Sequence, residues 1–379
     1  MNLLENELGN VNELLNAFAF DGEFTKSLQL HDGHINNTYK FEFCGADGAI
    51  NEYLVQEINT YVFKDYEGLM KNVIGVTDFM KKKIIANGGD PKRECLTVIG
   101  AVDGKPYYID ENGRCWRCYN FVGNAHSYQS VECAQVFGNA AKAFGKFQNM
   151  LSDYPIASLY ETIPNFHNTV SRFADFKKAV SDNLSGRAES VKDEIRFVFD
   201  REKDCSVLLD LLNAGKLPLR VTHNDTKLNN VMFDNETDEG ICVVDLDTVM
   251  PGLSLYDFGD SIRFGANTAA EDEKNVSKVS LSLEYFKAYT LGYLSTAGES
   301  LTQEEINQLA FSSKLMTLEC GMRFLGDYIN GDVYFKTEYS EHNLVRARTQ
   351  FALVADMENK AEQMELIVDE CCRELGIKR

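Results

Sequence analysis

Apolar and polar residues alternate over much of the first third of the chain. HDGHINNTYKFEFCG, INEYLVQEIN, ECLTVIGAV, KPYYID and CWRCYNFV each read as strands of period two, and a 3.6-residue pattern over about 66 to 86 interrupts them with one helix. From about residue 129 the period changes. VECAQVFGNAAKAFGKFQNML, 168 to 183, 189 to 214, and then about 271 to 297, 302 to 330 and 342 to 376 carry apolar residues three and four apart, which predicts helices. One exception sits inside this helical part: LPLRVTH (217 to 223), NNVMF (229 to 233) and ICVVDLD (241 to 247) are short apolar strands separated by polar turns such as DNETDEG. They are expected to form a β-ribbon packed on helices. The class is therefore α+β, with a small antiparallel-sheet lobe over 1–122, a mainly helical lobe over 123–379 and a hinge near Val122–Gly123, after the last strand of the first lobe. No internal repeat or low-complexity linker is visible.

Size agrees with that division, because 379 residues exceed what a single hydrophobic core usually fills. Hydrophobic residues make up 44% and charged residues 25%, as in globular chains. The balance of 58 Asp+Glu against 38 Lys+Arg, a net charge of −20, argues against a broad nucleic-acid or anionic-membrane surface and leaves room only for a local basic pocket. No stretch approaches the roughly 18 to 20 apolar residues of a membrane span, and MNLLENELGNVNELL is acidic and amphipathic rather than a signal sequence. A soluble, cytoplasmic protein is expected. Its ten cysteines then read as reduced thiols. Cys115 and Cys118 form a CxxC with no partner pair inside an alternating strand, which suits packing better than redox or zinc chemistry, and Cys371–Cys372 ends a helical pattern.

The densest chemistry lies in VTHNDTKLNNVMFD, residues 221 to 234. Asp225 and Asn230 flank a turn between strands, and Asp245 ends a following strand, so two carboxylates and an amide oxygen converge on one edge of the ribbon. Hard oxygen ligands of this kind suit magnesium, and phosphoryl transfer needs them together with a carboxylate for the attacking hydroxyl and a nearby cation. Asp225 is assigned as the base, Lys227 as the cation, and Asn230 and Asp245 as metal ligands. The spacing H-x-D-x-K-x-x-N followed by a strand ending in Asp is that of a kinase catalytic loop and metal aspartate. His223 is expected to hydrogen-bond the loop backbone rather than to react.

Departures from the protein-kinase pattern narrow the acceptor. Asn224 stands where protein kinases carry an arginine that answers activation-loop phosphorylation, and Asp245 leads into PGLSLYDFGDSI with no long activation segment. A protein acceptor is thus disfavoured. Asp257-Phe-Gly259 follows a Pro-Gly turn and opens a helical stretch, so it is not the metal motif; Asp257 or Asp260 is expected to bond backbone amides or the catalytic loop.

DGHINNTY (32 to 39), RVTHNDTKLNN (220 to 230), DLDTVMPG (245 to 252), DFGDSIRFGA (257 to 266), ECGMRFLGDY (319 to 328) and EHNLVR (341 to 346) span most of the chain. In these stretches it resembles the aminoglycoside phosphotransferase and choline kinase superfamily and, within it, the N-acetylhexosamine 1-kinases. The resemblance implies a protein-kinase-like pair of lobes with nucleotide at the hinge. It also implies magnesium-dependent transfer of the ATP γ-phosphate to the anomeric hydroxyl of N-acetylglucosamine or N-acetylgalactosamine, in sugar salvage.

Further residues follow in part from chemistry and in part from that resemblance. Gly33 between strands lets the backbone approach phosphates, with His34, Asn36 and Asn37 as polar contacts, although the full glycine-rich pattern is missing. Gln56 in YLVQE occupies the place of the phosphate-binding lysine of kinases; its amide hydrogen-bonds but brings no charge. That leaves a nucleotide-binding pseudokinase as one alternative, and a kinase of choline, an aminoglycoside or an amino alcohol as another. For the sugar, the expectation rests on Arg323, on Asp327 one turn further along the same helix face, and on Tyr334 in GDVYF. Asp247 is a candidate for a second magnesium or for the acceptor.

Overall fold

A computed structural model describes residues 11–30 and 36–379. The alternating pattern forms an antiparallel sheet of β1 (Glu23–Leu30), β2 (Asn37–Cys44), β3 (Ile50–Ile58), β4 (Val98–Ile99), β5 (Tyr108–Ile109) and β6 (Cys115–Asn120). Its order is β1-β2-β3-β6-β4, with β5 also paired to β6. Period two sets the faces. On β6, Trp116 and Cys118 pack outward with Tyr39, Phe41 and Val55, while Cys115 and Tyr119 face the rest of the molecule.

A short helix, α1 (Val11–Ala17), lies before the sheet, and α2 (Tyr66–Ala86) is the expected insertion. Asp65 caps α2 by accepting the Gly68 N–H at 2.9 Å. Leu69, Val73, Val76, Met80 and Ile84 form its buried stripe. They share one core with Leu228, Val231, Val243, Leu246 and Val249, so the sheet lobe is joined to the site-bearing strands by continuous packing. Asn72 on α2 strengthens the join by donating to the carbonyls of Val249 at 2.9 Å and Tyr160 at 2.8 Å.

The helical part is built from α3 (Ala134–Met150), α4 (Thr169–Asp182), α5 (Ser254–Gly265), α6 (Leu283–Ala297), α7 (Leu309–Asn330), α8 (His342–Asn359) and α9 (Ala361–Leu375), with shorter turns between. Gly259 shows why α5 packs so closely on α7. A β-carbon there would lie 2.5 Å from the Ser312 carbonyl oxygen, so the glycine of Asp-Phe-Gly is required by helix packing.

Several long helical patterns resolve into shorter pieces. The 271–282 segment is irregular, and α6 begins only where Ser282 caps the Tyr285 N–H at 3.2 Å; the charged run EDEKNVSK has no apolar stripe to bury. The 342–376 pattern breaks at Lys360, whose Nζ is drawn to Asp356, Ser280 and the Leu281 carbonyl. The 302–330 pattern breaks at Gln308, and 189–214 splits into Lys192–Phe199 and Val207–Asn213 around the polar REKDCS.

The expected single ribbon is two small sheets. β7 (Ala125–His126), β9 (Val231–Asp234) and β10 (Gly240–Val243) form one, and β8 (Arg220–Thr222) pairs with β11 (Met250–Gly252) in the other. The eight residues 223–230 between β8 and β9 are too many for a tight hairpin, so β8 takes a partner further along the chain. After β6 ends at Asn120, the chain enters the second sheet at Ala125. No helix among the described residues is long and apolar enough to cross a membrane. All ten cysteines are free thiols. Burial pushes the Cys115 thiol up to about 12 and that of Cys118 well above its ordinary value.

Candidate active site

Residues 223–230 leave β8 and are tied to α5 before reaching β9. Asp257 accepts the backbone N–H of His223 at 2.9 Å and of Asn224 at 2.7 Å, while its own carbonyl accepts the Thr226 hydroxyl at 2.6 Å. Burial pushes the Asp257 carboxyl up to about 6 against these two amides. Ser261 adds a bond to the Thr226 carbonyl at 2.8 Å. Asp257 thus anchors the loop, as one of the two expected carboxylates; Asp260 instead pairs with Arg263 at 2.8 Å.

His223 has the expected structural role. Its Nε2 donates to the Val244 carbonyl at 2.9 Å, and Nδ1 accepts the Asp225 N–H at 3.3 Å. Asn224 adopts φ 65°, a left-handed conformation that asparagine tolerates, and its amide bonds the Thr248 carbonyl at 2.8 Å. The loop therefore presents Asp225 on a framework already satisfied. Lys227 lies 2.9 Å from Asp225, both half-buried. Burial opposes the lysine's charge, but the Asp225 carboxylate beside it raises its pKa overall.

Asn230 and Asp245 are neighbours through the sheet, since the Val244 N–H donates to the Asn230 carbonyl at 2.9 Å. Asn230 Nδ2 donates to the Asp225 carbonyl at 2.8 Å and lies 3.3 Å from its carboxylate, which leaves Oδ1 without a donor among the described residues. Asp245 also adopts a left-handed backbone, φ 59°, and its carboxylate has no hydrogen-bond or ion-pair partner among them. It opens to solvent yet is packed about by protein; burial and the charges of Asp247 and Asp225 push it up to about 7. A free amide oxygen and a repelled carboxylate fit a hard divalent cation. Among the described residues no cluster of three His, Cys, Asp or Glu side chains encloses a metal, so other oxygens would have to complete its shell.

On the sheet side, Gln56 of β3 faces Arg117 of β6. Arg117 Nε donates to Gln56 Oε1 at 3.1 Å, Nη1 pairs with Asp247, and Gln56 Nε2 reaches Thr38 Oγ1 at 3.0 Å. Asn36 bridges the same group, donating to Asp247 at 2.7 Å and accepting the Asn59 N–H at 3.0 Å. Asn37 is turned elsewhere, to Glu57 at 2.9 Å. Gly33 and His34 lie outside the described residues. Arg117 went unrecognised in the sequence, although an arginine between Cys115 and Tyr119 on the inward period of β6 was a visible signal.

The third part is carried by α7. Arg323 is half-buried and makes no ion pair among the described residues; its guanidinium lies 5.5 to 5.9 Å from the rings of Phe166, Tyr334 and Phe335. Burial, then the charge of Arg323, lowers the Arg172 pKa, which places a second cation nearby. The Tyr334 side chain is exposed. Asp327 is turned to the loop after its own helix. Its carboxylate accepts the N–H groups of Val333, Tyr334 and Phe335 at 2.9 to 3.0 Å and the Asn343 amide at 2.9 Å, so it shapes the loop carrying Tyr334 and has no oxygen left for an acceptor.

His167, which no sequence pattern marked, connects α7 to the catalytic loop. Its Nδ1 lies 2.8 Å from Glu319 and Nε2 3.0 Å from the Asn224 carbonyl, an arrangement that favours the imidazolium form. Glu319 is also bonded by Thr169 at 2.5 Å. Burial opposes both charges, yet the pair holds His167 above and Glu319 below their ordinary values.

Residues 46–289 match the model of the APH family, described as a phosphotransferase enzyme family. The fold is similar to an amicoumacin kinase solved with AMP-PNP, Ca2+ and Ami, at 13% identity and TM-score 0.58 over 92% of this chain and 93% of that one. A microcompartment-associated aminopropanol kinase matches at 15% identity and TM-score 0.55 over 95% and 99%. An ethanolamine kinase from Plasmodium vivax matches at 15% and 0.52 over 92% and 85%. At such identity the likeness speaks for the fold alone.

Proposed function

The chain belongs to the APH family of phosphotransferases and is a small-molecule phosphotransferase; from that premise we propose that it transfers the γ-phosphate of ATP to the anomeric hydroxyl of an N-acetylated hexosamine. Asp225 orients that hydroxyl and takes its proton as the oxygen bonds phosphorus and ADP leaves. Lys227 beside it offsets charge on the transferred group. Magnesium on Asn230 and Asp245 would neutralise the phosphate oxygens. In this reading the nucleotide binds between residues 1–122 and 123–379, with Val122–Gly123 as the hinge.

The observation that carries the acceptor is Arg323. An unpaired guanidinium among three aromatic rings, with Arg172 close by, repels an ammonium and attracts carbonyl or hydroxyl oxygens. The acidic groups nearest are already engaged, Glu319 by His167 and Asp327 by backbone amides. A neutral sugar with an N-acyl carbonyl fits this wall better than choline or an aminoglycoside.

The test is ATP- and magnesium-dependent phosphorylation of N-acetylglucosamine, N-acetylgalactosamine, glucose, galactose, choline and kanamycin, with the product phosphate located by phosphorus-proton NMR. Phosphate on the anomeric oxygen of an N-acetylhexosamine is expected. Phosphate only on choline or kanamycin overturns the reading of Arg323, and no product with any acceptor overturns the sugar reading and favours a nucleotide-binding module.

A further inference from the structure

Gln56 brings no charge to the sheet face where a phosphotransferase meets the polyphosphate of its nucleotide. The strand beside it does. β3 and β6 pair antiparallel with Gln56 opposite Arg117, and the two-residue period turns Arg117 inward with Cys115 and Tyr119. Its side chain is 1% exposed.

Such burial needs a reason. Moving a guanidinium out of water is costly, and a buried ion pair stabilises a fold no better, as a rule, than apolar residues of the same volume. Arg117 is nevertheless held in place by two polar partners, Gln56 on Nε and Asp247 on Nη1, and Asn36 in turn donates to Asp247. Nη2 has no acceptor among the described residues. Asp247 lies two residues beyond the metal-ligand candidate Asp245, and Asn36 immediately precedes β2, so the guanidinium is linked both to the sheet and to the segment that carries Asp245.

We propose that Arg117 is the cation that binds the nucleotide's polyphosphate, supplying from β6 the charge that Gln56 does not supply from β3, with Asp247 as the partner it exchanges for phosphate. The five N–H donors of a guanidinium allow it to keep Gln56 on Nε and to turn Nη2 and then Nη1 to phosphate oxygens. Gln56 becomes a positioning residue, aiming Arg117 through Oε1. This rests on family membership and not on the identity of the acceptor.

Equilibrium binding of adenosine, ADP and ATP with magnesium and no acceptor, to the whole protein, separates a phosphate contact from a structural role. In Arg117→Met, affinity for ADP and ATP falls about 10- to 100-fold while adenosine binds as before. Adding Gln56→Lys to Arg117→Met recovers most of the ADP and ATP affinity. Should Arg117→Met leave too little folded protein, Arg117→Met/Asp247→Asn removes both buried charges and is compared with Asp247→Asn alone. Equal loss for all three ligands, or no loss for any, overturns the proposal. Because no acceptor is present, neither result depends on whether the acceptor is a sugar.

Discussion

The 223–230 loop and the surroundings of Arg323 on α7 differ in how much of their polarity is already used. Around residues 223–230, Asp257 takes two backbone amides, His223 spans Asp225 and Val244, and Asn224 is bonded through its side chain and its carbonyl. On α7, by contrast, Arg323 makes no ion pair among the described residues and faces aromatic rings, and Tyr334 beyond the helix end stands in solvent. A loop satisfied in advance can hold a reacting carboxylate in one geometry, which is the usual basis of rate. Under the proposed function, the spare hydrogen-bonding capacity around Arg323 is what would select the acceptor.

The contrast is broken most directly at Asp225. Asp225→Asn keeps the shape and half-buried setting of the side chain but removes the proton acceptor, so turnover should fall about 10²- to 10⁴-fold with the melting temperature little changed. Near-normal turnover under saturating substrates would remove Asp225 from the reaction. On the opposite wall, Arg323→Met should lower kcat/KM for the acceptor about 10- to 100-fold, mostly through KM, while KM for ATP stays as it is. An equal rise in both KM values would make Arg323 structural.

His167 tests whether the two regions are coupled. Its pKa is raised by Glu319 despite burial, so the imidazolium's contribution to stability is complete below the ordinary histidine value of about 6.5 and is lost as pH rises through the higher folded value. The stability difference between wild type and His167→Gln, from urea unfolding, should be largest below about pH 6.5 and shrink as pH rises above it. A difference that grows with pH would mean a neutral ring. This is the smallest of the three effects, and it reports the link between Glu319 on α7 and the Asn224 carbonyl next to Asp225.

Much of the site was legible because its spacing is local. Asp225, Lys227 and Asn230 lie within six residues, so any turn that joins β8 to β9 brings them together, and Asp245 follows one hairpin later. The sheet and α2 were equally readable, since a period of two or of 3.6 needs only neighbours along the chain. The long helical patterns over 271–297 and 342–376 were less so, because a periodic stretch does not reveal where Ser282 caps it or where Lys360 turns to Asp356 and Ser280.

By itself, then, the sequence determined an α+β chain, the closeness of Asp225, Lys227 and Asn230, and the absence of charge at Gln56, all of them properties of residues close in order. Tertiary structure alone decided that Arg117 lies against Gln56 and pairs with Asp247, that His167 joins α7 to the catalytic loop, and that Asp327 spends its carboxylate on residues 333–335. These pairs lie 61, 130 and 152 residues apart, or, for Asp327, depend on how a loop folds back on its own helix. Their meeting is set by the burial of distant apolar faces, which carries polar side chains into contact without any pattern of their own.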